Sequence, residues 1–255
     1  MEVVVDWASW LRRWEAQQGY YLPQREERFR VMIGLVRELV GTTPSVLDLG
    51  SGPGSLAVRV VDLLPGARVV AIDADPFLLE LGRQAVGDRG GAIRWVEVDL
   101  RSDSWVQLAR RWGTVDAAMS TTALHWLSPG EQADFFARLA GLIRLGGVLV
   151  NGDQLTFNQD QQRIAAAATT LQEEEAAHDA AEHPAETWRE WWQAVEAEPA
   201  FASLMAERRS RWGGHPDYHS AGQALAMEAA LKRAGFSEVG TIWQHFENRV
   251  LVAIR

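Results

Sequence analysis

The sequence predicts an α/β fold: a doubly wound, mostly parallel seven-stranded sheet with an antiparallel last strand, an N-terminal helical lid, and a helical cap inserted between strands five and six. Five short apolar runs alternate with helical patterns between residues 45 and 153, which is typical of parallel strands joined by crossover helices. The alternation stops over residues 158–214, which are helical and acidic. Two apolar runs then flank a turn near the end of the chain and predict an antiparallel hairpin.

The composition is that of a globular protein and excludes several kinds of site. Hydrophobic residues make up 47% and charged residues 23% of the 255 residues, enough for one large domain or a domain with an appendage. The formal net charge of -9 disfavours nucleic-acid and anionic-membrane partners. The absence of Cys excludes disulfides, thiolate nucleophiles and Cys-ligated zinc. With no leader pattern at residues 1–10 and no apolar run near the ~18 residues of a membrane span, we expect a cytoplasmic protein.

Two amphipathic helices precede the sheet and form the predicted lid, residues 1–40. Apolar residues recur at helical spacing over residues 6–18, and a second helical pattern runs from Gln24 to Val40. The apolar face of the first helix carries three tryptophans, Trp7, Trp10 and Trp14. Such a face packs on the core by default, and a lid over a ligand or a dimer face are the alternatives.

Residues 41–157 form the predicted core. Its five strands have the sequences SVLDLG, ARVVAID, IRWVEVDL, VDAAMST and GGVLVNGD. Helical patterns over Leu56–Leu64, Pro76–Val86 and 131–144 connect them, with Gly146-Gly147 as the turn before strand five. Right-handed crossovers bring the carboxyl ends of the parallel strands to one edge of the sheet.

The remaining residues divide into a cap, 158–214, and a C-terminal part, 215–255. The cap has three helical stretches and is too long for an ordinary connection. Residues 158–199 hold ten acidic and two basic side chains, so most of the negative charge resides there, on what we interpret mainly as a solvated helix surface. The C-terminal part continues with a helix over Ala224–Ala234 and a hairpin whose predicted turn is Glu247-Asn248.

A glycine-rich loop between strand one and the next helix carries the sharpest functional signal. Missing side chains in VLDLGSGPGSLA let the backbone turn tightly and approach a ligand. Asp73 ends strand two, 23 residues after Gly50, where a carboxylate can accept two hydrogen bonds from a ribose diol. Asp99 follows strand three at the same edge and could face an adenine amino group. The pattern predicts a nucleoside-containing cofactor.

A nicotinamide dinucleotide and its oxidoreductase chemistry are the alternative for this loop. The dinucleotide fingerprint has glycines at positions one, three and six, but the sixth position here is Ser55. Asp48, just before the loop, also suits a cationic ammonium better than a pyrophosphate. A further alternative is a catalytically inactive cofactor-binding partner or sensor, although a scaffold has no physical need for the full set of acids and glycines.

These residues resemble the class I S-adenosylmethionine-dependent methyltransferases that act on small molecules. The motifs appear in order as DLGSGPG at residues 48–54, Asp73, Asp99, the segment 120–126 and the Gly146-Gly147 strand. The resemblance covers most of residues 25–155 and the terminal hairpin. It implies S-adenosylmethionine as cofactor and direct transfer of its methyl group to a small organic acceptor.

The resemblance also implies which residues contact the cofactor. Residues of the loop and the acid before it would hold the methionine part: Gly50, Ser51, Gly52, Gly54 and Asp48. Residues that follow strands two to four would surround the adenosine or close the site: Asp73, Ala74, Phe77, Asp99, Leu100 and Ser120. An arginine of the lid would meet the cofactor carboxylate, the candidates being Arg25 and Arg28.

His125 and Asp153 are the candidate catalytic residues. If the acceptor loses a proton, His125 after strand four is the candidate base; the alternative is that it packs beside Trp126 and hydrogen-bonds the backbone. Asp153 after strand five could orient His125 or a cationic substrate. Its alternative is an exposed loop acid that caps the next helix.

The candidate acceptor contacts are aromatic and indicate an apolar or aromatic molecule: Tyr20, Tyr21, Trp126, Trp188 and Trp192. The motif that amino-methylating enzymes of DNA and RNA often carry after strand four is absent, so a small acceptor is favoured over nucleic acid. His215 and His219 have the helical spacing of a metal pair, but Pro216 follows the first and no third ligand is evident, so we expect no metal. The sequence leaves monomer and homodimer open.

Overall fold

The computed structural model describes residues 5–22, 24–182, 185–212 and 222–255. The helices are α1 (Trp7–Tyr21), α2 (Arg25–Val40), α3 (Ser55–Leu63), α4 (Pro76–Ala85), α5 (Ser104–Arg110), α6 (Pro129–Ala140), α7 (Gln162–Glu182), α8 (Trp188–Ala197), α9 (Ala202–Trp212) and α10 (Ala224–Arg233). The strands are β1 (Ser45–Leu49), β2 (Arg68–Asp73), β3 (Ile93–Glu97), β4 (Val115–Thr121), β5 (Ile143–Thr156), β6 (Gly222–Gln223), β7 (Glu238–His245) and β8 (Asn248–Ile254). Among these described residues, no helix is both long and apolar enough to cross a membrane.

The main sheet has the order β3-β2-β1-β4-β5-β8-β7. Strands β1 to β5 pair in parallel, and β8 runs antiparallel to both of its neighbours, β5 and β7. The predicted seven-stranded, doubly wound sheet with an antiparallel last strand is therefore confirmed. The two-residue strand β6, which pairs with the end of β5, was not predicted. The strand order reverses between β1 and β4, the kind of point at which open α/β sheets bind ligands.

Apolar side chains cover both faces of the sheet and explain why its strands are apolar throughout. Helices α2 and α3 pack on one face through residues such as Phe29, Val36 and Leu56. Helices α6 and α10 pack on the other through residues such as Phe136 and Leu231. Burying one such side chain contributes roughly 1.5–3 kcal/mol, so the two layers hold the carboxyl edge of the sheet in place.

Helix α1 packs against α4 and the cap, here the helices α7, α8 and α9. The ring centroids of Trp14 and Trp191 are 4.9 Å apart, and those of Trp7 and Phe201 are 5.1 Å apart. Arg13 adds a two-pronged ion pair with Glu186, at 2.7 and 2.8 Å. The tryptophan face of the lid is therefore an internal contact with the cap.

Three predicted boundaries were wrong. The helix predicted over 131–144 ends at Ala140, and the Gly146-Gly147 segment lies within β5, at an irregularity in its pairing with β4. A Cβ on Gly147 would lie 2.6 Å from Cγ2 of Ile143, which explains the glycine there. In the hairpin, Phe246 and Glu247 form the turn, and Asn248 is a buried residue of β8. Helix α5 was not predicted.

Candidate cofactor and active site

A cavity of about 520 Å³ opens at the carboxyl ends of the parallel strands. Its wall combines the glycine loop, residues after β2, β3 and β4, parts of α1 and α2, and side chains of the cap. The volume lies within the ~300–1,000 Å³ range of small-molecule sites. Sequence motifs that are far apart in the chain thus meet at one site.

The glycine loop is held against β2 by its own backbone. The N–H groups of Gly50 and Ser51 both donate to the carbonyl of Ile72, at 2.8 and 2.9 Å. Gly50 and Gly52 have φ of 69° and 53°, which disfavours side chains, and a Cβ on Gly50 would overlap that of Ala123. Gly50, Ser51 and Gly52, which were predicted to contact the cofactor, all line the cavity.

Asp73 lies in the cavity wall directly beside this loop. Its Oδ2 accepts from the N–H of Gly52 at 2.7 Å, and its Oδ1 accepts from the N–H of Asp75 at 2.8 Å. Burial, with the charge of Asp75, raises the pKa of Asp73 to about 6. A carboxylate oxygen has more than one lone pair, so Asp73 retains capacity to accept from a ligand diol. Ala74 lines the cavity next to it.

Asp99 and Leu100 line the cavity beyond β3, at the predicted adenine end. The Asp99 side chain is partly exposed, and its Oδ1 accepts from the N–H of Arg101 at 2.8 Å. Arg101 also lines the cavity and donates to the carbonyl of Trp126 at 3.0 Å. The loop after β3 is therefore tied to the segment after β4.

Asp48, predicted to help hold the methionine part of the cofactor directly or through water, does not line the cavity. Its side chain is fully buried and turns toward the start of α3, where Oδ2 accepts from the N–H of Ala57 at 3.1 Å. Oδ1 has no hydrogen-bond partner among the described residues, and burial raises the pKa of Asp48 to about 7. The geometry makes Asp48 a support of the loop and α3 in this structure.

Gly54 and Phe77 were also predicted to contact the cofactor, and neither lines this cavity. A Cβ on Gly54 would overlap the ring of Trp95, so this glycine permits close packing behind the loop. The Phe77 ring is fully buried, with its centroid 4.9 Å from that of Phe201. Leu78, the next residue, lines the cavity in its place because adjacent helical side chains point in different directions.

Ser120 lies behind the wall as well, since its Oγ donates to the carbonyl of Leu49 at 2.8 Å. Thr121, Thr122 and Ala123 form the cavity surface after β4 instead. Thr122 has a φ of 49°, unusual for a residue other than glycine. Residues 120–126 were predicted to lie at the site, but the orientation of β4 decides which of their side chains reach the cavity.

The two lid arginines have different positions. Arg25 lines the cavity, and its Nη1 lies 2.7 Å from Oε2 of Glu15. Arg28 is fully buried and does not line the cavity, so the structure favours Arg25 of the two candidates for the cofactor carboxylate. Its guanidinium donates to Oδ1 of Asn248 at 2.7 Å and to Oγ1 of Thr121, and burial lowers the pKa of Arg28 to about 10.

His125 and Asp153 form a pair at the cavity. His125 Nδ1 lies 2.7 Å from Oδ1 of Asp153, and the His125 backbone N–H donates to Oδ2 at 3.3 Å. Asp153 is fully buried, which contradicts its alternative interpretation as an exposed loop acid. Burial alone would lower the pKa of His125, but the charge and hydrogen bond of Asp153 outweigh it and raise that pKa, against an opposing contribution from Arg28. Trp126 lies beside His125, with ring centroids 5.2 Å apart and the two rings tilted by 36°.

Some of the aromatic residues predicted to contact the acceptor line the cavity. Trp126, Trp188 and Trp192 line it, together with Trp14 of the lid. Nothing is described of the side chains of Tyr20 and Tyr21, and His215 and His219 lie outside the described residues. The described part of the chain contains no cluster of three or more potential metal ligands. Gln154, expected as a polar neighbour of Asp153 near the acceptor, is also in the wall, and so is Arg208, which had no signal in the sequence.

Comparisons with known proteins agree with this site. Residues 46–147 match the family model described as a methyltransferase domain. A trans-aconitate 2-methyltransferase of Azoarcus sp. (strain BH72) is 30% identical over 156 residues, which cover 59% of this chain and 54% of that protein. The chain spans about half the length of the curated relatives it matches.

Solved structures show the same fold. An O-methyltransferase family protein from Burkholderia thailandensis has a TM-score of 0.55 at 20% identity, covering 89% of this chain and 55% of that one. The structure of PigF with SAH has a TM-score of 0.52 at 17% identity, covering 88% and 54%.

Residues 46–147 match a methyltransferase domain, and the strand order and the cavity are those expected of the class I S-adenosylmethionine-dependent methyltransferases that the sequence resembles. S-adenosylmethionine is the cofactor of this class, and the wall residues fit it, with glycine backbone beside Asp73 and apolar surface at Leu78 and Leu100. These findings favour a methyltransferase over a nicotinamide-dependent oxidoreductase.

Proposed function

We propose that this chain transfers the methyl group of S-adenosylmethionine to a small organic acceptor and that His125 takes the acceptor's proton. The proposal rests on one observation: the glycine loop, Asp73 and His125 line the same cavity, and His125 is paired with Asp153. An inactive partner or sensor would need the loop but would have no use for a paired histidine in the same wall.

The bound cofactor supplies a methyl carbon that its sulfonium makes electrophilic. The protein therefore has to align the acceptor and receive its proton. With the Nδ1–H of His125 donated to Asp153, the ring presents its Nε2 lone pair as the proton acceptor. The Asp153 carboxylate then stabilises the imidazolium that forms, as a positioned acid does in other histidine-assisted reactions.

The acceptor we propose is apolar or aromatic and carries an ionisable proton, such as a phenol. Four tryptophans line the cavity: Trp14, Trp126, Trp188 and Trp192. The wall arginines each lie against a carboxylate of this chain, Arg25 on Glu15, Arg101 on Asp99 and Arg208 on Asp75. A polycarboxylate acceptor would have to displace these pairs. The net charge of -9 likewise supports a small molecule, and not a nucleic acid or anionic membrane, as partner.

Two measurements test this function in sequence. Isothermal titration compares S-adenosylhomocysteine with NAD; binding of S-adenosylhomocysteine and no response to NAD is expected, and the reverse result would overturn the proposal. Mass spectrometry then screens phenolic, heteroaromatic and polycarboxylic metabolites for methylated products.

The role of His125 is tested with the acceptor that the screen identifies. We expect His125→Ala to lower kcat by about 100-fold or more, the usual contribution of a positioned base, while S-adenosylhomocysteine affinity stays within twofold. His178→Ala, which alters an exposed histidine of α7 outside the cavity wall, is the matched control and should retain activity. Equal kcat in both variants would show that His125 is not the base.

A further inference from the structure

We propose that the cap completes the cofactor site through Arg208, a positioning residue that holds the ribose-binding end of the cavity. The inference rests on the proposed function, because it assigns part of the same cavity to S-adenosylmethionine. It goes beyond the resemblance, which assigns the cofactor contacts to the core and the lid.

Arg208 reaches from α9 into the wall of the cavity. Its side chain is only 10% exposed, and its Nε lies 2.7 Å from Oδ2 of Asp75. The guanidinium carbon is 3.9 Å from the ring centroid of Trp192, so a cation stacks on an aromatic face that also lines the cavity. Arg208 thus joins a carboxylate of the core to an aromatic ring of the cap.

Asp75, the partner of Arg208, is directly linked to the acid at the predicted ribose position. Its backbone N–H donates to Oδ1 of Asp73 at 2.8 Å, while its own Oδ1 accepts from the N–H groups of Phe77 and Leu78 at the start of α4. A movement of Asp75 would therefore displace both Asp73 and the first turn of α4. Arg208 fixes this turn from the cap side.

A second arginine shows that α9 docks on the same end of the sheet. Arg211 donates to the carbonyl of Ala74 at 3.3 Å and pairs with Glu97 at the end of β3. Arg209, between the two, is exposed. Two arginines of one helix turn therefore hold the residues that follow β2, where the predicted ribose contact lies.

Arg208 also pairs with the acid whose charge acts on Asp73. In the part of the chain that the structure describes, the charged groups near Asp73 are Asp75 at the start of α4, Asp48 on β1, Glu97 on the paired strand β3, and Arg208 and Arg211 from α9. The negative charge of Asp75 already raises the pKa of Asp73. Without Arg208 the Asp75 charge loses its ion-pair partner, so we expect Asp73 to retain its proton to higher pH. A protonated carboxyl is a poorer acceptor for two diol hydroxyls.

The test measures ligand affinity in Arg208→Met and in the matched control Arg209→Met. The probes are S-adenosylhomocysteine and 5′-methylthioadenosine, which has the nucleoside but no amino-acid carboxylate. In Arg208→Met we expect both Kd values to rise by the same factor, about tenfold at pH 6.5, and by a smaller factor at pH 8.5, where Asp73 is ionised. Arg209→Met should bind both probes as the wild type does.

The outcomes separate this inference from the proposed function. Failure of the wild type to bind S-adenosylhomocysteine would refute the function itself. Wild-type binding with an unchanged Kd in Arg208→Met, or with a loss that is equal at both pH values, would overturn the role of Arg208 alone. If Arg208→Met does not fold, Arg208→Lys keeps a charge near Asp75 but not the planar face over Trp192, and it should weaken both probes about threefold; unchanged binding in that variant overturns the inference equally.

Discussion

Replacing Asp153 with Asn tests how the paired carboxylate supports His125. The substitution conserves shape but removes the negative charge 2.7 Å from His125 Nδ1. A hydrogen bond to a charged group contributes about 1.5–3 kcal/mol, and a catalytic step loses tenfold in rate for each ~1.36 kcal/mol. If the charge stabilises the imidazolium in the transition state, kcat should fall by about 10- to 150-fold.

The pH dependence provides an independent check of the same substitution. The proposed base is neutral His125, so the rate should rise as the pH passes upward through the pKa of His125, which Asp153 raises above the ordinary value of ~6.5. With the charge removed, burial and Arg28 remain and lower that pKa. The rising limb of the pH–rate profile should therefore move to lower pH in Asp153→Asn.

The assay is kcat against pH from about 5.5 to 9, with calorimetric affinity for S-adenosylhomocysteine measured alongside. Affinity should stay within twofold because Asp153 lies outside the cavity wall. A variant with unchanged kcat, or with a lowered kcat whose rising limb has not moved, would refute the idea that Asp153 acts through His125.

Two further predictions concern stability. Gly54→Ala should lower the free energy of unfolding by about 2 kcal/mol or more, because the new Cβ would overlap the Trp95 ring. Gly90→Ala, also at positive φ but in open space, should lower it by only about 1 kcal/mol. Urea unfolding compares the two variants, and equal losses would contradict the packing argument. For Asp48, whose pKa burial raises to about 7, the folded state holds a proton that the unfolded state releases between about pH 4 and 7, so its contribution to stability falls as the pH rises through that range. Asp48→Asn should remove this fall, and the difference in unfolding free energy between variant and wild type should grow from about pH 4.5 to 7.5; a constant difference would show that Asp48 does not titrate in this range.

Local sequence pattern was enough to predict the strands that build the site. Val46 and Leu47 of β1 are buried in the centre of the sheet, and their apolar run identified the strand before the glycine loop. Gly50, Gly52 and Asp73 were predictable for the same reason, since each follows a strand end that the pattern marks. A residue that follows a parallel strand lies at the carboxyl edge of the sheet, so its position depends mainly on where that strand ends and little on contacts with residues far away in the chain.

Side-chain direction was not predictable in the same way. Phe77 and Leu78 are neighbours in one helix, yet one is buried among aromatic rings and the other lines the cavity. Arg25 and Arg28 are likewise one helical turn apart, and only Arg25 reaches the wall. Successive side chains of a helix point in directions about 100° apart around its axis. A motif can therefore be located correctly in the sequence while the side chain assigned to the cavity is the wrong one.

Strand periodicity and loop chemistry are local properties, so the fold class, the ligand-binding edge of the sheet and the candidate residues His125 and Asp153 could be predicted from the sequence. Long-range packing brings these two side chains together, places Asp48 and Gly54 behind the cavity and adds Arg208 to its wall. Arg208 and Asp75 are separated by 133 residues in the chain. Such a contact depends on how the cap packs on the core, and no local spacing encodes that packing.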